Sequence, residues 1–182
     1  MSPQSAILLL HRGTGAVLAA FICLHLVNHV LLAIDPALAF GFMDRFRQVY
    51  RQPAVEAVLL LAVLLQLLGG AALARRGGAL PARISGYYLL FFLLVHVTAV
   101  LWGRLGMGLD TDIRFAAAGL RSWPSIAFFA PYYFLAVLAV CFHVGLGVSR
   151  HAGARARTVT LAAGTVGLLM GTAIVGGMLA LA

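Results

Sequence analysis

Residues 13–34 read GTGAVLAAFICLHLVNHVLLAI, an apolar run of 22 residues that contains His25, Asn28 and His29. A helix of this length crosses the roughly 30 Å hydrocarbon core of a bilayer. A histidine inside such a span is costly and rare, and by default it indicates a functional site that has a partner. The run therefore predicts a membrane helix bundle, and the partner of His25 must come from another span.

An internal repeat identifies that partner. The motif RGTG at residues 12–15 ends ten residues before His25, and RISG at residues 83–86 ends ten residues before His96. Two helices therefore start alike and carry a histidine at the same position. Because both would run in the same direction, the two halves are predicted to be parallel repeats around an axis along the membrane normal.

The composition is that of an integral membrane protein. Apolar residues make up 63% and charged residues 10%, with a mean hydropathy of +1.02, against about 45–50% and 25% in soluble domains. The fold class is predicted to be all-α, with two parallel helix-pair repeats plus a fifth helix in a single transmembrane domain over residues 1–182. The predicted spans are residues 13–34, 53–74, 86–107, 127–148 and 158–181.

The charge distribution predicts the orientation. The net charge of +8 comes from arginine alone, and because the arginines lie in short loops between spans, we exclude nucleic-acid binding. With five spans, seven arginines and no acid fall on the side of the N-terminus, and the other six arginines and all five acids fall on the other side. The positive-inside rule then predicts an N-terminus inside a bacterial-type inner membrane. The seven are Arg12, Arg75, Arg76, Arg83, Arg150, Arg155 and Arg157, and the acids are Asp35, Asp44, Glu56, Asp110 and Asp112.

A rise of about 1.5 Å per residue gives the depth of each polar side chain in its span. Counted from the inner ends, His25 lies roughly 18 Å deep and His96 roughly 15 Å, whereas Gln66 lies roughly 12 Å deep and His143 roughly 8 Å. The repeat therefore pairs His25 with His96, and Gln66 with His143. Gly70 and Gly147, each four residues further on, are predicted to leave room for a flat ring.

Two neutral imidazoles that face each other in a helix bundle are suited to bind one haem iron as axial ligands. Hydrogen bonding between helices is the alternative for these histidines. His29, one turn beyond His25 on the same face, is predicted to be an alternative ligand or the partner of a propionate or quinone. For His143 with Gln66, three interpretations stay open: a vestigial site, a five-coordinate haem or an interhelical hydrogen bond.

Taken together in order and spacing, these motifs resemble the succinate dehydrogenase and fumarate reductase cytochrome b superfamily. The similarity is greatest to its five-helix, single-subunit membrane anchors, which hold two haems b. It extends over nearly the whole chain. The segments with counterparts are LHRGTG at 10–15, HLVN at 25–28, FMD at 42–44, Glu56, RISG at 83–86 with His96, and Phe142-His143 with Gly147.

The resemblance implies a set of metal ligands. In that family each of the first four helices supplies one histidine, so that His25 and His96 would hold the distal haem and His143 would be one ligand of the proximal haem. The mate of His143 is expected where this chain has Gln66. One haem b is therefore expected, with two as the alternative.

The resemblance also implies a function. The chain is expected to be a membrane anchor that transfers electrons between a quinone and flavoprotein and iron–sulfur subunits on the inner face. It would not itself act on succinate, since it has no dinucleotide fingerprint and no cysteine cluster. The alternative is a stand-alone membrane protein of the same fold, either a diverged haem protein or a small transporter that uses the histidines in a proton relay.

Further residues are candidates for quinone sites and for assembly. Arg12, His11 and Ser5 are predicted to serve a quinone at the inner side, with ordinary positive-inside flanking as the alternative. Glu56 and His29 are predicted to handle protons for an outer quinone, although Glu56 also fits an acid stabilised by the dipole at a helix start. In the fifth span, Gly167 and Gly171 form a small-xxx-small pair, which predicts a scaffold helix or a homodimer contact.

Overall fold

The computed structural model describes residues 2–182, which form helices and turns without a strand in that range. Five of the helices are long and apolar enough to span a membrane. This confirms the all-α fold class and the number of spans. The helices are α1 (Pro3–Leu32), α2 (Pro36–Tyr50), α3 (Pro53–Arg75), α4 (Leu80–Leu101), α5 (Ile113–Ala117), α6 (Ser125–Ser149) and α7 (Ala156–Leu181).

The five long helices form a closed ring. α1 packs against α3 and α7, α3 packs against α4, α4 packs against α6, and α6 packs against α7. Many of their large apolar side chains, such as Leu61, Leu94 and Leu169, point away from the ring and are exposed by more than half. Such an apolar exterior is what a lipid bilayer requires, whereas polar side chains are sheltered between helices.

The first helix starts earlier than the sequence pattern predicted. It begins at Pro3, after Ser2, whose side chain accepts a hydrogen bond from the Ser5 backbone N–H as an N-cap. At about 1.5 Å per residue, its 30 residues extend about 45 Å. His11 and Arg12, predicted to precede the span, are therefore part of α1. As a result, His11 adds a side chain to the interior of the bundle.

The other helix starts also correct the prediction. α4 begins at Leu80, six residues before the predicted start, and continues as a π-helical segment over Trp102–Gly106. α6 begins at Ser125, two residues before the predicted start, and contains Pro131, whereas Pro53 is the first residue of α3.

A buried apolar cluster closes the end of the ring at which α1 finishes. α2 and α5 fold onto this end, with Ala39 fully buried and Met43 6% exposed. Asp35 ends the preceding turn and caps α2 by accepting a hydrogen bond from the Ala37 N–H at 2.8 Å. The cluster comprises Leu32, Ala39, Met43, Ile113, Ala117, Leu120, Val137, Ile174 and Met178.

Small residues bring α6 and α7 close together. A Cβ at Gly167 would lie 3.0 Å from Cys141 Cβ and 3.1 Å from Leu138 Cα, and one at Gly171 would lie 3.1 Å from the Phe134 ring. The small-xxx-small pair is thus used within the chain, against α6. This packing gives α7 the scaffold role predicted for it.

We expect Gly167→Leu to destabilise the bundle by about 1–3 kcal/mol, because the new side chain must force two helix backbones apart. The measurement is thermal unfolding in detergent, followed by helical circular dichroism. Gly176→Leu on the same helix is the control, since a Cβ there meets nothing within 4 Å. Equal unfolding temperatures for the two variants would contradict the close packing.

Candidate functional site

The first histidine pair, His25 of α1 and His96 of α4, lies inside the ring. The two imidazole centres are 6.2 Å apart, and the ring planes are inclined by 68°. Both residues are half-buried. The sequence repeat paired these two residues, and the structure brings them together.

The separation of the first pair matches what two axial ligands of one iron require. A metal–nitrogen bond of about 2 Å and about 1.1 Å from nitrogen to ring centre place two opposite imidazole centres about 6 Å apart. Helices α1 and α4 are rigid elements that hold the two rings at this spacing. The residues present therefore fit a bis-histidine haem iron.

Two further polar side chains lie beside the first pair. The His29 ring is 4.7 Å from the His25 ring, at 77°, and its Nδ1 is buried without a hydrogen-bond partner. Asn28 is only 4% exposed, and its Oδ1 is likewise unpartnered. Because His29 is on the same helix as His25, it neighbours the pair rather than facing His25 across the ring.

The second histidine pair consists of His11 of α1 and His143 of α6, with ring centres 6.4 Å apart at 81°. Gln66 of α3 adjoins it, since Gln66 Nε2 lies 3.4 Å from His11 Nε2 and Gln66 Oε1 accepts a hydrogen bond of 2.7 Å from the Thr14 hydroxyl. The sequence placed Gln66 and His143 at one level. In the structure His11 joins that level and contacts both.

The contacts of Ser85 favour the tautomer of His143 that carries its proton on Nδ1. The Ser85 hydroxyl donates to the Pro81 carbonyl at 2.9 Å, so that it accepts the proton of His143 Nδ1 at 3.0 Å. His143 Nε2 is then left with a free lone pair. Metal-binding histidines commonly donate the N–H of the other ring nitrogen to such an acceptor, so His143 taken alone resembles a ligand.

His11 is not arranged as the opposite ligand. Its Nε2 is engaged with Gln66, and its Nδ1 is buried without a partner. The same edge of the ring faces α3, where a Cβ at Gly70 would lie 3.5 Å from His11 Cε1 and one at Gly69 would lie 3.7 Å from Nδ1. The space predicted for a flat ring beside Gly70 is therefore filled by His11, whereas Gly147 has no neighbour within 4 Å.

The internal repeat is visible in these contacts. Thr14 and Gly15 contact Gln66, with 3.2 Å between the position of a Gly15 Cβ and Gln66 Nε2. In the second half, the hydroxyl and glycine of Ser85-Gly86 contact His143, with 3.3 Å between a Gly86 Cβ and His143 Cε1. Gln66 thus occupies the structural position that a histidine occupies in the other half.

The remaining predicted site residues lie at the two ends of the bundle. Ser5 bonds the N-cap Ser2 at 2.8 Å between hydroxyls, and Arg12 is exposed. Glu56 accepts a hydrogen bond from Arg104, which joins the start of α3 to the π-helical end of α4. Neither Ser5 nor Glu56 belongs to a histidine pair, whereas His11 and His29 reach the interior.

Arginine side chains form ion pairs at the end of the bundle at which α1 ends. Arg47 of α2 donates to both oxygens of Asp110, and Arg51 donates to the Thr111 hydroxyl at 3.0 Å. The hydrogen bond and the positive charge of Arg47 lower the pKa of Asp110, and Arg51 adds to the effect. Because Asp110 is largely exposed, this pair contributes little to stability.

Sequence reasoning missed His11 as an interior residue. The signal was present in Ser2-Pro3, since a serine followed by proline is a frequent start of a helix. Extending α1 to that point places His11 eight residues into the helix, about 12 Å from its start. Hydropathy alone placed the span boundary at the charged Arg12.

Comparisons of the chain with protein-family models, with curated proteins and with solved structures found no match. Within residues 2–182 no group of three or more histidine, cysteine or acidic side chains is arranged to hold a metal ion. A bis-histidine haem needs only two side chains, because the macrocycle supplies the other four ligands. One histidine pair is therefore enough for such a site.

Proposed function

We propose that this chain is a haem b-binding membrane anchor that transfers electrons between a quinone and flavoprotein and iron–sulfur partners. The observation that carries the proposal is the spacing of His25 and His96, 6.2 Å between ring centres on two neighbouring halves of an internal repeat. A haem bound there supplies a one-electron redox centre in apolar surroundings. The chain itself holds no group for succinate chemistry, which belongs to the partners.

The first pair is favoured over His25 with His29 and over His11 with His143. His25 and His29 lie on one helix and cannot approach a metal from opposite sides. His11 uses its nitrogens toward α3, so that His143 has no facing ligand. We therefore propose one haem b per chain, held by His25 and His96.

The charge distribution supports the proposed orientation and partners. Seven arginines and no acid flank the end at which α1 begins, against six arginines and all five acids at the other end. We propose that the end without acids is cytoplasmic in a bacterial-type inner membrane and receives the soluble partners. Ser5 and Arg12 lie toward this end, and His11 lies about 12 Å into α1; we propose that these three residues serve a quinone. At the opposite end Glu56 is paired with Arg104. Of the two residues predicted to handle protons for an outer quinone, His29 is therefore the one that remains for this role.

A second candidate function is a small transporter with a proton relay. The polar contacts among Thr14, Gln66 and His11, and between Ser85 and His143, favour it, because they link polar side chains within the span without any cofactor. This network stops short of the first pair, since Leu18 and Phe21 separate the two levels along α1. The first pair is thus better explained by haem.

The test is a reduced-minus-oxidised visible spectrum and a pyridine haemochrome assay of protein produced with an ample haem supply. We expect one haem b per chain, reducible by a menaquinol or ubiquinol analogue. A folded, haem-supplied preparation without haem would contradict the redox proposal and favour the transporter. Haem that neither quinol analogue reduces would support haem binding and contradict the quinone assignment.

A further inference from the structure

Two phenylalanines stack on the histidines of the first pair. Phe21 precedes His25 by four residues, and Phe92 precedes His96 by four residues, a spacing that puts both side chains on one helix face. The ring centres are 5.7 Å apart at 17° for Phe21 and His25, and 5.1 Å apart at 13° for Phe92 and His96. The repeat has thus produced the same stacked pair twice.

Stacking on phenylalanine takes the place of a hydrogen bond from the second ring nitrogen. A metal-binding histidine usually donates its other ring N–H to a carboxylate, a carbonyl or water, which fixes the ring. Across residues 2–182, the histidines with side-chain hydrogen bonds are His11 and His143, not those of the first pair. The contacts that define the ring planes of His25 and His96 are therefore aromatic.

Each phenylalanine is itself held in place by an aromatic group from another helix. Phe21 contacts Phe46 and Tyr50 of α2, both at 5.5 Å between ring centres. Phe92 lies 4.8 Å from the Tyr132 ring of α6, whose hydroxyl donates to the Phe92 carbonyl at 3.3 Å. Neither phenylalanine can turn freely, so each restricts rotation of the imidazole stacked on it.

We infer that Phe21 and Phe92 are positioning residues that set the ring planes of His25 and His96 and the angle of 68° between them. The inference rests on the proposed haem function. For two axial imidazoles, the angle between the ring planes determines the anisotropy of low-spin ferric iron. Loss of either stack therefore changes the electron paramagnetic resonance spectrum as well as the retention of haem.

The experiment compares Phe21→Leu and Phe92→Leu with wild type by ferric electron paramagnetic resonance and by haem retention in an apo-myoglobin competition. We expect a shifted and broadened low-spin signal and about tenfold weaker haem retention, the low end for loss of a side chain that orients a metal ligand. Phe21→Tyr and Phe92→Tyr keep the stacked ring and should keep the wild-type spectrum. Phe91→Leu is the matched control, because Phe91 is 44% exposed and adjoins Phe92 without stacking on a histidine.

The outcomes separate this inference from the proposed function. Haem in wild type with an unchanged spectrum and retention in both leucine variants overturns the positioning role and leaves the haem function intact. Wild type without haem overturns both. If a leucine variant does not fold, methionine at the same position preserves bulk but not the ring plane, and it is judged by the same spectrum.

Discussion

His96→Ala is expected to yield folded protein without haem b. At the proposed site, removing one imidazole would leave a bound iron with a single protein ligand, and the opposite side offers no other histidine, since His29 is on the same helix as His25. Loss of an axial ligand is expected to reduce haem content at least tenfold after purification. The measurement is the ratio of haem to protein by the pyridine haemochrome assay.

Two controls accompany this variant. His151→Ala removes an exposed histidine in the turn after α6 and should leave the haem content unchanged. His143→Ala should also leave it unchanged, because the second pair is not proposed to hold haem. If His143→Ala loses haem and His96→Ala keeps it, the site has been assigned to the wrong level of the bundle.

The sequence predicted the spans and the first pair for a physical reason. A bilayer leaves few places for a polar side chain, so that depth along the helix and an internal repeat are enough to match His25 with His96. The phenylalanines that stack on them have the same spacing in both halves. This spacing is visible in the sequence, but an aromatic residue in an apolar span more often has only a packing role.

The second level could not be predicted from depth alone. Gln66 and His143 share a level, but which side chain fills the space beside a glycine depends on helix rotation and on where α1 starts. His11 reaches Gly69 and Gly70 because α1 extends back to Pro3. Hydropathy does not report that extension, since His11-Arg12 interrupts the apolar pattern. The packing of Gly167 and Gly171 on α6 could not be predicted either, because the small-xxx-small pattern also fits a contact between two chains.

The double variant Gln66→His with His11→Ala is expected to raise the haem content from one to two per chain. Position 66 is the repeat counterpart of position 143. The Thr14 hydroxyl contacts Gln66 as the Ser85 hydroxyl contacts His143, so it is placed to hydrogen-bond a histidine at position 66. A histidine at position 66 supplies the missing ligand, and removal of the His11 imidazole clears the space against Gly70. The haem-to-protein ratio of the purified variants measures the result.

The single variants decide which obstacle excludes a second haem. Gln66→His alone should stay at one haem, because the His11 ring still occupies the space, and His11→Ala alone should stay at one, because the ligand is still missing. Two haems in Gln66→His alone would show that the His11 side chain moves out of this space when haem binds. A folded double variant with one haem would mean that this level of the bundle is not a haem site in either half. The hydrogen bonds among Thr14, Gln66 and His11 would then be its function, and the proton relay would become the better account of that level.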